Sequence, residues 1–317
     1  MNNLIKKIQN TIFQYSLVPR GSRIVLGVSG GPDSVCLLNI FVILQKKYDL
    51  DLLVAHVNYN LREKDSQRDE QSVKKLAEKF GLRFVLLAPK TAKKSGEEPL
   101  RKIRYDFFEK IRKENDFDLI AVAHNSDDQV ETFLMRVIRG AGLQGLSAMK
   151  YKNERIIRPL LGISRKEILE FLKKNKISFR LDKTNRQSIF FRNKIRNKLL
   201  PYLEKNFNSN IKQTISNSLE SIREDYDLIS ELAKRELAKN KELRVSKLLE
   251  LHPALQKRVL REVLEQKKSS EQEITSAHIN ELLKIIKSVK NKQHVFRLGN
   301  LKVERKRDRI VVTNQQN

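Results

Sequence analysis

The chain has 317 residues, 39% of them hydrophobic and 32% charged, which suits a soluble globular protein of two or three domains. Lys and Arg number 64 against 38 Asp and Glu, a formal charge of +26 at pH 7; an excess of that size attracts polyanions and points to a nucleic-acid partner. The single cysteine, Cys36, excludes an internal disulfide and a cysteine zinc site, and no stretch approaches the roughly 18 apolar residues of a membrane span.

The N-terminal stretch lacks the apolar core of a signal peptide, so a cytoplasmic protein without a membrane partner is expected. Residues 1–20 read as a short amphipathic helix, with Leu4, Ile8, Ile12 and Phe13 at helical spacing. Residues 23–29 are a β-branched apolar run and read as a buried strand, followed by a helix over 33–47. Further strands are expected at 52–57, 83–87 and 118–123, and helices at 69–80, 100–114 and 128–139, the last stopped by Gly140-Ala141-Gly142. This alternation predicts an α/β fold: a Rossmann-like parallel sheet with helices on both faces. Ligands of such sheets bind at the carboxyl ends of the strands. Polar clusters follow three of the strands, at 29–34, 56–62 and 124–129.

From about 204 to 240 the chain turns polar and reads as a long connecting helix. Two helices follow, marked by Leu255, Val259, Leu260 and Val263 and by Ile279, Leu282, Leu283 and Ile286, then a hairpin built on Val295-Phe296-Arg297-Leu298 and Leu301-Lys302-Val303. The expected division is a catalytic domain over 1–205, a helical linker over 206–240 and a small, mainly helical C-terminal domain over 241–317. The basic run Arg305-Lys306-Arg307-Asp308-Arg309 suits either an RNA-positioning surface or a charged strand edge.

Ser29-Gly30-Gly31-Pro32-Asp33-Ser34, between a strand and a helix, has the makings of a phosphate cradle. Glycines admit strained turns and close approach, successive N–H groups hold an anion, and the helix points its positive end at the ligand. Ser29 and Ser34 add hydroxyls. A carboxylate beside phosphates needs a reason: Asp33 caps the helix, holds Mg²⁺ or orients the loop. No Lys follows the glycines, so this is not the GxxxxGK[ST] loop.

The hexapeptide resembles the SGGxDS loop of the N-type ATP pyrophosphatases (PP-loop enzymes), which split ATP to AMP and pyrophosphate and mostly adenylate a carbonyl oxygen. Glutamine-dependent members use a nucleophilic Cys, but the N-terminus here offers Asn2, and thiolating members need several cysteines. Other segments are similar to the tRNA(Ile)-lysidine synthetases: His56-Val57-Asn58-Tyr59-Asn60-Leu61-Arg62, the pair Arg101 and Arg104 with Tyr105, and His124-Asn125-Ser126-Asp127-Asp128-Gln129-Val130-Glu131-Thr132. Gly140-Ala141-Gly142-Leu143-Gln144-Gly145, Arg158-Pro159-Leu160-Leu161, Asp182-Lys183-Thr184-Asn185 and Arg192-Asn193-Lys194-Ile195-Arg196 continue the likeness. It is dense over residues 20–203. Tyr59 and Asn125 depart from it, each standing where the family carries His.

The resemblance implies a ligase that joins free L-lysine to C2 of the wobble cytidine of tRNA(Ile) with a CAU anticodon, through an adenylated cytidine. Codon reading then changes from AUG to AUA. It implies ATP as co-substrate, with Ser29, Gly30, Gly31, Pro32, Asp33 and Ser34 holding its phosphates and Asp33 with Asp127 or Asp128 holding Mg²⁺. Arg104 is expected to neutralise phosphate charge, His124 or a carboxylate such as Asp128 to take a proton, Asp128 and Glu131 to receive the lysine ammonium, and Arg192 and Arg196 its carboxylate, phosphate or RNA. Plainer readings stand beside these: Asp127 as helix cap, Glu131 as partner of Arg101 or Arg104, Arg192 and Arg196 as a solvated face, His124 as a satisfied core residue. The family often carries two C-terminal domains, and the last is expected to be absent here. Oligomeric state is left open, a homodimer included.

Overall fold

A computed structural model describes residues 3–61, 64–89, 96–180, 191–239, 242–267, 274–288 and 295–314. Arg62, the 182–185 segment and His294 lie outside the described residues. The chain divides into two compact units, one of 1–138 with 148–217 and the other of 139–147 with 218–317.

The first unit runs α1 (Asn3–Gln14), β1 (Arg23–Gly27), α2 (Pro32–Tyr48), β2 (Asp51–Val57), α3 (Lys64–Lys79), β3 (Arg83–Leu87), α4 (Glu97–Glu114), β4 (Leu119–Ala121) and α5 (Ser126–Ile138). After the short α6 (Leu143–Leu146) of the second unit come β5 (Lys152–Asn153), β6 (Ile156–Ile157), α7 (Arg165–Lys174) and α8 (Phe191–Lys194). A π-helical turn (Ile195–Leu199) and α9 (Leu200–Asn206) follow.

The sheet order is β3-β2-β1-β4-β6-β5. All neighbours are parallel except β5, which runs antiparallel to β6. Alternate strand residues serve opposite faces. Ile24, Leu26, Leu52, Val54, Leu119 and Ala121 join a core with α1, α2, α3 and α7, while Val25, Leu53, Ala55, Ile120 and Val122 pack on Phe107, Phe108 and Ile111 of α4. This two-sided burial explains why the strands read as continuous apolar runs.

Successive strands spread one way from β1 to β3, and the chain then returns to place β4 on the other side of β1. That reversal opens a crevice beyond the carboxyl ends of β1 and β4. It sets the loop at 28–34 beside the segment at 122–128.

Helix α10 (Ile211–Lys239) is followed by α11 (Val245–Glu250), α12 (Pro253–Lys267) and α13 (Ser276–Lys287). Strands β7 (Val295–Leu298), β8 (Leu301–Lys306) and β9 (Arg309–Asn314) form an antiparallel sheet in the order β7-β8-β9. Val259, Leu260, Leu264, Leu282, Ile286, Phe296 and Val303 are buried together in the second unit. The expected hairpin is thus extended by a third strand, and the basic run at 305–309 forms the β8–β9 turn and its flanks. Gln144 belongs to this unit: its side chain donates to Glu265 (3.2 Å) and accepts from Arg258 (3.3 Å). Among the described residues no helix is long and apolar enough to cross a membrane.

Candidate active site

The loop after β1 is preformed by its own hydrogen bonds. Ser29 N–H donates to Ser34 Oγ (3.1 Å), the two hydroxyls meet at 3.1 Å, and Ser34 Oγ donates to the Gly31 carbonyl (2.9 Å). Gly30 holds φ +87° with Val73 of α3 close to where a Cβ would stand, so a side chain is disfavoured twice over. Arg180 N–H bonds the Gly30 carbonyl at 2.9 Å and fixes the loop from outside. Pro32 begins α2, and Gly31 is its cap. Asp33 therefore does not cap this helix, because it already lies in the first turn.

One Asp33 oxygen accepts from Arg165 Nη1 at 2.6 Å; the other, Oδ1, is buried with no hydrogen-bond partner. Burial raises its pKa above the usual 3.8, with Arg165 and Asn125 pulling the other way. Arg165 also donates its backbone N–H to Asp127 Oδ2 (2.9 Å), and Lys212 stands 3.6 Å from Asp127 Oδ1. Asp33 and Asp127 thus flank one arginine. Arg165 was not singled out from the sequence. The signal was Ser164 with Glu167, a capping box that makes Arg165 the first residue of α7.

After β4, Asn125 caps α5. Its Oδ1 accepts from Asp128 N–H, and its own N–H donates to Asp128 Oδ2, both at 3.0 Å. The alternative that Asp127 caps this helix is corrected: the helix begins two residues earlier than expected, and Asn125, in place of a His, supplies the cap. Such a cap is worth about 1 kcal/mol.

Asp128 and Glu131 lie three apart on α5, hence on one face. Arg192 of α8 and Arg196 of the π turn close over them. Arg192 reaches Asp128 Oδ1 and Glu131 Oε2, both at 2.7 Å; Arg196 reaches Glu131 at 2.5 and 2.8 Å and Asp128 at 3.4 Å. Glu131 is only 1% exposed. Its partners are Arg192 and Arg196 rather than Arg101 or Arg104, and neither arginine lies on a plain solvated face. Burial raises the Asp128 carboxyl above 3.8 against the pull of Arg192. Burial also works against the Arg196 charge, but Glu131 outweighs it and holds that guanidinium above its ordinary value.

His124 lies three residues beyond β4, with Nδ1 buried and without a hydrogen-bond partner. Burial first, then Arg158, Arg101, Arg104 and Arg192, holds the imidazole well below 6.5, so it is neutral at pH 7. It is therefore not a satisfied core histidine; that description fits His56, whose Nδ1 meets the Val28 carbonyl at 2.8 Å. Arg101 and Arg104 lie over the Tyr105 ring at 4.9 and 5.6 Å. Cys36 is buried in α2, and burial pushes its thiol up to about 12, which leaves it inert. Among the described residues no group of three or more His, Cys, Asp and Glu side chains could hold a metal. Mg²⁺ needs less: one or two carboxylates plus substrate phosphates and water. The partner-free Asp33 oxygen meets that requirement.

Known proteins match both halves of this description. The PP-loop domain family matches residues 2–203, and the TilS substrate binding domain matches residues 243–311. The tRNA(Ile)-lysidine synthase of Clostridioides difficile is 36% identical, over 99% of this chain and 71% of that protein. Its namesake in Chlorobaculum tepidum is 37% identical, over 80% and 75%. In Clostridium tetani the figures are 37%, over 90% and 64%. The chain thus spans 64% to 75% of the length of these relatives. Among solved structures, the U34-tRNA thiolase NcsA from Methanococcus maripaludis with its [4Fe-4S] cluster aligns with TM-score 0.57 at 19% identity. That alignment covers 69% of this chain and 77% of that one, and at this identity the likeness is one of fold alone.

Proposed function

We infer the chemistry from one premise: the chain belongs to the tRNA(Ile)-lysidine synthetase family. It joins free L-lysine to C2 of the wobble cytidine of tRNA(Ile) carrying a CAU anticodon, consuming ATP. The cytidine O2 attacks the α-phosphate of ATP, forming a P–O bond, and pyrophosphate leaves. The lysine ε-amine then attacks C2, the C2–O bond breaks, and AMP departs with the former carbonyl oxygen. Adenylation is needed because a carbonyl oxygen is otherwise a poor leaving group.

The loop at 29–34 offers backbone N–H groups and the α2 N-terminus to the phosphates. Asp33 Oδ1 and Asp127 would hold Mg²⁺, which when bound neutralises phosphate charge. Arg104 faces charge that develops at the transferred phosphorus. The ε-ammonium must lose a proton before attack, and Asp128 and the neutral His124 are the acceptors in this cluster.

The observation that carries the lysine assignment is the pairing of Asp128 and Glu131 with Arg192 and Arg196 at 2.5–3.4 Å. Lysine brings two ammonium groups and one carboxylate. Its two ammonium groups can pair with Asp128 and Glu131 and its carboxylate with one of the two arginines, which leaves the other arginine for a phosphate of ATP or RNA. Catalysis is assigned to the domain expected over 1–205 and RNA positioning in the cytoplasm to the one expected over 241–317, with 139–147 and the 218–239 part of the 206–240 linker packed into the second unit. The test is incubation with ATP, labelled lysine and tRNA(Ile). One lysine enters the RNA for each AMP released. AMP release with no labelled RNA contradicts the assignment.

A further inference from the structure

We propose that Tyr202 and Phe207 form a stacking platform for an unpaired base of the RNA near the target cytidine. The proposal rests on the RNA reading above. Both rings are large, apolar and open to solvent: Tyr202 is 58% exposed and Phe207 72%. Their centroids lie 5.9 Å apart with planes tilted by 60°. Rings of this size left in water forgo the stabilisation that burial brings, so the exposed pair asks for an occupant.

The pair is held rather than loose. Phe207 N–H and Asn208 N–H both bond the Leu203 carbonyl at 3.0 Å, and Asn206 donates to the Tyr202 carbonyl at 2.8 Å. Asn208 then bonds Thr214 (3.0 Å) and accepts from Asn210 N–H (2.8 Å), closing the turn into α10. A platform that is already ordered loses little entropy when a base stacks on it.

Charge selects the occupant. Between 191 and 210 the chain carries Arg192, Lys194, Arg196, Lys198 and Lys205 against one acid, Glu204, which Lys212 pairs at 3.1 Å. Lys194, Lys198 and Lys205 are exposed and have no acidic partner among the described residues. Aromatic rings set among free lysines suit single-stranded nucleic acid, in which the rings take base faces and the ammonium groups follow phosphates. Position selects the region of the RNA. Ile195 and Leu200 are buried and anchor the segment, Arg196 reaches Glu131 in the site, and Tyr202 follows six residues later, about 9 Å along a helix. That is within a few nucleotides of the reacting base.

The experiment compares wild type, Tyr202→Ala, Phe207→Ala, the double variant, and Tyr202→Phe as the conservative control. Readouts are binding of fluorescent tRNA(Ile), the KM values for tRNA and for ATP, and oligomeric state by light scattering. Each alanine weakens tRNA binding about tenfold and raises the tRNA KM, while the ATP KM, the melting temperature and the Tyr202→Phe protein stay at wild type. Unchanged tRNA affinity in the double variant, with wild type still forming lysidine, overturns the platform and leaves the functional reading intact. Loss of a dimer without loss of RNA binding overturns it in favour of a protein contact. No RNA turnover by wild type overturns both.

Discussion

Two buried clusters of arginine and glutamate have the same chemistry and opposite meanings. In the first unit, Asp128, Glu131, Arg192 and Arg196 come from separate elements, 61 to 68 residues apart in sequence, and meet at the carboxyl end of the sheet. In the second, Arg258 and Glu262 sit one turn apart on α12, 8% and 6% exposed, with the Tyr226 ring 4.5 Å from the guanidinium and Gln144 at 3.3 Å. The local cluster satisfies itself and ties residues 139–147 to their unit. The long-range cluster gathers two anions and two cations beside a phosphate loop, where a zwitterion can replace the partners. Burial of an ion pair alone therefore does not mark a site; the proposed lysine site rests on assembly across elements at a strand-end crevice.

The largest effect that tests this contrast is Arg192→Ala. Removing one partner of a buried pair costs about 3–5 kcal/mol, and here part of that falls on lysine binding, so lysine transfer drops about 100-fold or more. Activity within threefold of wild type would place the cluster outside the site. Glu262→Ala strands the Arg258 charge and lowers unfolding free energy by about 3 kcal/mol in urea titration. Lysine transfer per folded molecule stays unchanged, and a specific loss of transfer would erase the contrast.

A smaller effect comes from His124, beside Arg192. The folded protein holds it neutral while the unfolded chain protonates near 6.5. Between the two values the unfolded state binds the extra proton. Stability is therefore full above 6.5 and lost as pH falls below it, by up to about 1.4 kcal/mol per pH unit. His124→Asn removes that slope, and an equal slope in the variant would assign it to other groups.

The sequence revealed what is contiguous. The phosphate loop, the strands flanking it and the Asp128–Glu131 spacing each fall within a few residues, so periodicity and turn chemistry expose them. Arg165 escaped because its contact with Asp33 spans 132 residues and carries no pattern of its own. Strands β5 and β6 have two residues each, too short to show alternation. Strand β9 was hidden behind the charged run at 305–309, which reads as polar surface until the sheet pairs Arg305 with Ile310. The excursion of 139–147 into the second unit depends on Gln144 meeting Arg258 and Glu265, and no local signal announces such partners. The exchange of expected ligands for each other, carboxylates against arginines, likewise exists only in three dimensions.

The central claim is that Glu131 with its arginines receives lysine, while the loop at 29–34 receives ATP. Glu131→Gln separates the two in one measurement: AMP formation on tRNA(Ile) and labelled-lysine transfer, each followed against lysine concentration. The account predicts near-normal adenylation with the lysine KM raised about 100-fold or transfer lost. Equal loss of both steps, or an unchanged lysine KM, would contradict it.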